Sequence, residues 1–452
     1  MSQVKLFSSS GGARVAKRSG RQKKQKVKKP LKTLAIWLLV ILCLEGLYFF
    51  CIYTNNSFVK KWRTIYINTA MDTMRHQWLA TYFIPKDVID EVRYEYGLVK
   101  AGTVGKESTW GRTDPVPADQ TPSTSNDRIV TLDPNVTHET DQPDAEELTQ
   151  EELEKQAEEN FYSVFWELDR TSMETYLAEH PDTLANGWEH IYINEAGFDD
   201  EGTSIQSTFG EQVLAIDAYN GVLLLRISGK GYRGVLAVGK DPSRLSIEMA
   251  TTLGTAGQLS GTIAEAHNGV LAMNANGFLD PNGAGNGGLL AGYTMSNGKA
   301  YGDHFSAYAY KRIELHEDDL FYIKDALSPV SEDCTDAAEF TPALIVDGKK
   351  IMDDYWTGEQ PRACIGQSEK YEILMLVIEG RYPLEGILGT SVNNCSEILL
   401  QHKCMQAINL DGGSSAMLWF DGEYVTQSSS SPLRYTGGRP LPNAWVYKKA
   451  ES

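Results

Sequence analysis

The segment Ala407–Met417 reads AINLDGGSSAM, an apolar strand that ends on Asp411 and is followed at once by Gly412, Gly413, Ser414 and Ser415. Paired glycines let a backbone turn tightly and present amide hydrogens, and serines add hydroxyl donors, so such a loop could seat an oxyanion beside one carboxylate. Asp-Gly is also a common turn, and the loop alone does not fix the chemistry. Three arginines stand at comparable strand ends: Arg362 after Pro361, Arg381 after the run Ile373–Gly380, and Arg439 before Pro440. A guanidinium offers a planar fork to phosphate, so several converging on one loop would suit a phosphorylated substrate, although any one of them is more often a surface ion pair. NANGF at Asn274–Phe278 follows the apolar run Gly269–Met273 and leads into a Gly-rich stretch, 283–292. Amide side chains there could orient sugar hydroxyls; the plainer reading is a tight turn.

Other chemistries leave no trace. His267, His304, His316 and His402 show no ligand spacing, and HExxH, a P-loop and GxSxG do not occur. No metal and no cofactor is therefore expected. Cys334, Cys364, Cys395 and Cys404 match no metal pattern and are expected as free, buried thiols.

The elements that must hold these residues are short apolar runs separated by Gly, Asn and Asp. Strands are expected at Val222–Ile227, Gly234–Val238, Gly269–Met273, Ala343–Val346, Tyr371–Ile378, Gln406–Leu410 and Ala444–Tyr447. Helices are expected at Asp241–Thr251, after Ser260 and over Ser391–Lys403. Strands and helices are both plentiful, which predicts an α+β fold with a mixed β-sheet.

Charge divides the chain. Eleven of its 42 Lys and Arg fall in residues 1–32 without an acid, leaving 31 bases against 60 acids, a net −29, on the remainder. Between lies an apolar run, Leu34–Tyr53, interrupted only by Glu45 and long enough to span a bilayer. The aromatic end of this run is unlike a signal-peptide cleavage site, so residues 33–53 are expected as a retained transmembrane helix. The basic arm, 1–32, would then face the cytoplasm and contact anionic lipid, with the rest of the chain outside. Glu45 could mark an intramembrane partner or simply snorkel. Residues 54–100 read as juxtamembrane amphipathic helices that lie on lipid, pack on a partner or form a stalk. An acidic linker (101–160), a lead-in segment (161–204) and a catalytic domain (205–449) follow. The acidic outer body argues against nucleic acid.

From about Ile205 to Tyr447 the chain resembles the phosphodiester glycosidase family. The landmarks are DPSR at Asp241–Arg244, NANGF, PALIVDGK at Pro342–Lys349, PRACIG at Pro361–Gly366, IEGR at Ile378–Arg381, NLDGGSSA at Asn409–Ala416 and RPLPNAWV at Arg439–Val446. The resemblance implies a pocket of Asn274, Arg362, Arg381, Asp411, Gly412, Gly413, Ser415, Arg439 and Asn443. It implies hydrolysis of a sugar-1-phosphodiester in a surface glycan or exopolysaccharide, with Asp411, Arg362 and Arg439 catalytic and the others binding substrate. Two positions depart from the family: Asn394 stands where it usually carries a Glu, and Met417 where many members have Thr. Loss of that Glu opens a different reading, a phosphoglycan-binding or envelope-assembly module without turnover. A phosphodiesterase cleaving phosphorus to oxygen would need two metals and a carboxylate–histidine cluster, and none is legible.

Overall fold

The computed structural model describes residues 29–73, 76–110, 149–197, 200–281, 285–306, 309–352, 357–429 and 438–451. Two compact units are Met1–Asn56 and Ser57–Ser452. Within the first, helix α1 (Lys29–Tyr53) contains one stretch, Lys32–Tyr53, of mean hydropathy 2.4, long and apolar enough to cross a membrane as an anchor or to serve as a signal sequence. Most of the basic arm (1–28) and most of the acidic linker (111–148) lie outside the described residues.

The second unit is α+β. Its largest sheet has nine strands in the order Tyr192–Asn194, Gln212–Asp217, Val222–Gly229, Tyr232–Gly239, Ile373–Glu379, Arg362–Ser368, Cys404–Asn409, Ala343–Val346 and Lys349–Lys350. A five-stranded sheet runs Glu423–Tyr424, Leu418–Phe420, Gly269–Asn274, Asn443–Lys448, Leu245–Met249. Another five-stranded sheet is built from residues 294–340. Among the described residues the named pairings are all antiparallel, a narrower arrangement than a mixed sheet.

The central strands read as continuous apolar runs because both their faces are buried. Val222, Leu224, Val235, Ala237 and Met375 point into a core shared with the five-stranded sheets, where Trp445 and Phe420 are buried. Leu223, Leu225, Leu236, Val238, Leu374 and Leu376 point the other way. They meet residues of helices α5 (Gln150–Val164), α6 (Arg170–Glu179) and α8 (Val392–Gln401). Helix α7 (Ser260–Ala266) covers the outer face of the second sheet through Ile263 and Ala264.

One expected helix is absent. Asp241–Thr251 forms a single 3₁₀ turn at Pro242–Arg244 and then the strand Leu245–Met249, paired with Asn443–Lys448. Leu245 and Ile247 alternate with Ser246 and Glu248, and that period of two seats the apolar pair in the core.

Three helices open the second unit: α2 (Ser57–Met71), α3 (Trp78–Thr81) and α4 (Lys86–Ala101). Residues 101–110, the head of the stretch expected as linker, are packed on the domain. The fully buried Lys311 ammonium donates to the carbonyls of Thr103 (2.7 Å) and Lys106 (2.8 Å) and pairs with Asp325. Ser108 bonds through its amide to the Ile323 carbonyl (2.8 Å) and through its hydroxyl to Gln406 (2.8 Å).

A buried ion triad ties residue 167, in the lead-in segment, to the large sheet: Lys240 Nζ lies 2.6 Å from Glu167 and 2.8 Å from Glu372. Burial, with help from Glu372 and against Lys240, raises the Glu167 carboxyl; Glu372, though buried, is held down by Lys240, Ser368 and Trp166. Lys240→Ala leaves two adjacent buried carboxylates and is expected to cost about 3–5 kcal/mol of stability. Both carboxyls would then have folded pKa values above their unfolded ones, so folding takes up protons and the deficit shrinks as pH falls. Urea melts at about pH 7.5 and about pH 5 check that sign; an equal deficit at both would refute it.

Candidate active site

Chain topology brings the motifs together. The strand Cys404–Asn409 belongs to the nine-stranded sheet and Leu418–Phe420 to the second sheet, so residues 410–417, the DGGSS loop, are the crossover between them. Arg362 begins a strand next to Cys404–Asn409, with Cys364 opposite Asn409, and Arg381 lies just past the end of Ile373–Glu379. Asn274 ends a strand of the second sheet next to Leu418–Phe420. These ends form one edge where the two sheets meet.

Across that edge the buried Asn274 donates from Nδ2 to the Asp411 carbonyl at 2.7 Å. The loop then makes a 3₁₀ turn at Gly413–Ser415. Gly413 has φ +62°, and a Cβ there would stand 2.9 Å from Arg381 Nη1; one on Gly412 would stand 2.5 Å from the Pro361 carbonyl oxygen. Glycine is therefore favoured at Gly413 by its left-handed backbone and required at Gly412 by the fixed Pro361 carbonyl. The amides of Gly413 and Ser415 are engaged by the carbonyls of Pro361 (3.1 Å) and Gly412 (3.2 Å). The loop thus packs Gly413 against Arg381 and keeps Asp411 within electrostatic reach of it, and those two amides do not form an oxyanion cradle.

Burial, aided by Asp280, raises the Asp411 carboxyl above the ordinary aspartate range, against a hydrogen bond from Ser415 and the charges of Arg439 and Arg381. Arg381 is held below the usual guanidinium range by burial and by Arg362, with Asp411 opposing. Its backbone is left-handed at φ +66°, a conformation that disfavours side chains and recurs at functional sites. Arg381 donates to Gln360 Oε1 at 2.8 Å, while its buried Nε has no hydrogen-bond partner among the described residues. Asn274 Oδ1 is likewise buried and unpaired among them.

The other arginines are more fully used. Arg362 donates from Nε to the Thr390 carbonyl (3.0 Å) and from Nη2 to that of Gly358 (2.6 Å). Arg439 pairs with Asp280 at 2.6 Å, reaches the Gly285 carbonyl at 3.0 Å and lies 4.4 Å above the Phe278 ring. Asn443 is a prop: its Oδ1 accepts from the Asn276 amide (3.0 Å), and its Nδ2 donates to Asn276 Oδ1 (3.2 Å) and Thr294 Oγ1 (3.3 Å), fixing the NANGF turn. Asn394, in the first turn of α8, donates at 2.9 Å to Oγ1 of Thr390, the same residue whose carbonyl holds Arg362. Met417 is buried against Gly438.

Sequence reasoning missed four contributors. Asp280 holds Arg439 and acts on Asp411. Tyr310 lies near enough to Asp411 for that charge, after burial, to raise its phenol. Gln360 holds Arg381 and is itself held, donating from Nε2 to the Thr69 carbonyl of α2 at 2.6 Å. Lys100, at the end of α4, is pushed down to about 8 by burial, with Arg93 and Arg362 adding and Asp72 opposing. Asp280, two residues beyond NANGF, and Gln360, just before PRACIG, had a nearby motif to point to them; Tyr310 and Lys100 had none. Among the described residues no three His, Cys, Asp or Glu side chains are grouped as metal ligands would be.

Known proteins were compared with this chain. A search of curated protein sequences gave no match. Among solved structures, the chain is similar to the zebrafish N-acetylglucosamine-1-phosphodiester alpha-N-acetylglucosaminidase catalytic domain, auto-inhibited by its pro-peptide, at 14% identity and TM-score 0.41 over 51% of this chain and 82% of that one. It is also similar to a hypothetical protein from Synechocystis at 15% identity and TM-score 0.36, over 54% of this chain and 65% of that one. The family model described as phosphodiester glycosidase matches residues 267–448, which begin after the strand Leu245–Met249 and take in Asn274, the three arginines and the crossover loop. Residues 267–448 are thus similar to the phosphodiester glycosidase family over about two fifths of the chain.

Proposed function

We propose that this domain hydrolyses the bond between an anomeric carbon and phosphate in an extracytoplasmic glycan, reached by a chain that α1 anchors in the membrane. The observation that carries the reading is the buried Asp411 carboxyl within electrostatic reach of Arg439 and Arg381, together with two buried polar atoms of the same edge, Arg381 Nε and Asn274 Oδ1, that have no hydrogen-bond partner among the described residues. A phosphate oxygen on the first and a sugar hydroxyl on the second would complete both.

In this reaction a water oxygen bonds to the anomeric carbon as the carbon–oxygen bond to phosphate breaks. The bonding pair leaves on the phosphate monoester, and Asp411 takes the water proton or stabilises the positive ring carbon. The leaving group is acidic enough that protonation adds little, so stabilising its charge is the larger task. Arg362 and Arg439 were the expected partners of that charge. Their existing bonds make them supports, and the incompletely paired Arg381 takes the phosphate in this reading.

Asn394, where the family usually has Glu, favours a second reading in which the pocket binds phosphoglycans without turning them over. Sugar release from sugar-1-phosphate diesters by the Ser57–Ser452 unit separates the two. Turnover by the wild type, reduced about 10²-fold or more in Asp411→Ala, is expected. In water enriched in oxygen-18 the label should enter the sugar; label in the phosphate would eliminate the glycosidase. Folded protein that binds the diesters and releases nothing would establish the binding module instead.

The raised Asp411 carboxyl also fixes a pH dependence. If its ionised form is required, kcat/KM rises with pH through an acid limb above the ordinary aspartate range. Arg439→Gln removes a cation that favours ionisation and releases Asp280, so the limb should move to higher pH; a limb that stays in place would show that another group sets it.

A further inference from the structure

Helix α2 has two unlike faces. Thr64, Ile67, Asn68 and Ala70 are buried, and Thr69 meets Gln360. On the other side Phe58, Trp62 and Tyr66 recur every fourth residue and are 69%, 49% and 42% exposed. Helix α3 and its C-terminal turn continue the aromatic surface with Trp78, Tyr82 and Phe83, which are 54%, 82% and 53% exposed. The Tyr66 hydroxyl donates to the Leu79 carbonyl at 2.7 Å and joins the two helices. Six exposed aromatics within 26 residues exceed what a soluble domain ordinarily leaves to water.

We infer that this face docks in the headgroup layer of a lipid bilayer. Trp and Tyr are the residue types that settle at a membrane–water interface, where the ring is sheltered and the polar edge stays wet. Helix α2 carries no acid, and of its bases Lys61 is exposed while Lys60 is paired with Glu95 of α4 at 3.1 Å, so charge is a minor part of the contact with an anionic surface. Only three residues, Thr54–Asn56, separate it in sequence from the apolar α1. The interior-facing side of α2 is already occupied, so lipid contact costs none of the fold's packing. Acidic α4, with Asp87, Asp90, Glu91 and Glu95, limits attraction by charge alone and leaves the aromatics as the main contact.

The Ser57–Ser452 unit lacks α1 and has its own cores, so lipid binding can be read on it directly. Cosedimentation with phosphatidylcholine vesicles containing one quarter phosphatidylglycerol should show binding that Trp62→Ser, Trp78→Ser and Tyr82→Ser together weaken at least tenfold. An unchanged melting temperature would confirm that these exposed substitutions leave the fold intact. In the full chain reconstituted with brominated lipid, tryptophan quenching should fall when Trp62 and Trp78 are replaced by Phe. A unit that stays in the supernatant, or binds equally well without the three aromatics, overturns the inference. So does self-association without vesicles that the substitutions abolish, since the face would then belong to a second copy. None of these readouts depends on turnover.

Discussion

The Asp411 carboxyl stands where the chain leaves one sheet for the other, and taking it out of water is unfavourable unless opposite charge and donors surround it. The site can be understood as the answer to that constraint. The Ser415 hydroxyl and the charges of Arg439 and Arg381 favour the ionised form of the carboxyl, and Asn274 fixes the Asp411 backbone. Each of these groups needs its own support. Arg439 is held by Asp280 and stacked on Phe278, Arg381 by Gln360, and Arg362 by two carbonyls. The compensation is incomplete, since Asp411 still sits above its ordinary range. A buried carboxyl whose pKa is shifted by burial and by named charged neighbours is the kind of group that marks a functional site.

Legibility in the sequence followed the range of the interactions. Val222–Gly229, Gly269–Asn274 and Cys404–Asn409 could be read because burial on both faces makes them locally apolar, and the DGGSS turn because glycine answers a local steric demand. The strand Leu245–Met249 was missed because Ser246 and Glu248 interrupt its apolar pattern; Glu248 is buried in company with His267 and Lys448, partners distant in sequence. Gln360 and Tyr310 acquire their places only when α2 and the 294–340 sheet are docked; Gln360 adjoins the PRACIG landmark, yet its partner Thr69 lies about 290 positions away, and nothing near Tyr310 announces its place. Residues 101–110 look solvated for the same reason: the buried Lys311 that holds them lies about 200 positions away.

Helix α2 also changes how the domain should be delimited. A boundary at Ile205 follows the family landmarks, yet Gln360 stands between Arg381 and the Thr69 carbonyl, so a side chain of the site is oriented from a helix outside that boundary. A glutamine that donates on one side and accepts on the other has its amide orientation fixed by both partners. With that helix removed, the Gln360 amide loses its donor-side partner and with it the constraint on Arg381.

The place of Asn394 bears on whether the missing Glu decides the function. Its side chain bonds to the Thr390 hydroxyl, and the Thr390 carbonyl takes the Nε of Arg362. A carboxylate at that position would sit on the arginine side of the site and could act there by charge as well as by proton transfer. An amide keeps a hydrogen bond and gives up the charge, which leaves Arg362 and Arg381 less neutralised; burial and, after it, repulsion from Arg362 already lower Arg381. For a substrate whose leaving group departs as an anion, a more positive site offsets part of what is lost with a proton donor. In the proposed reaction the substitution would therefore remove one route to catalysis while strengthening the electrostatic route that a phosphate leaving group uses.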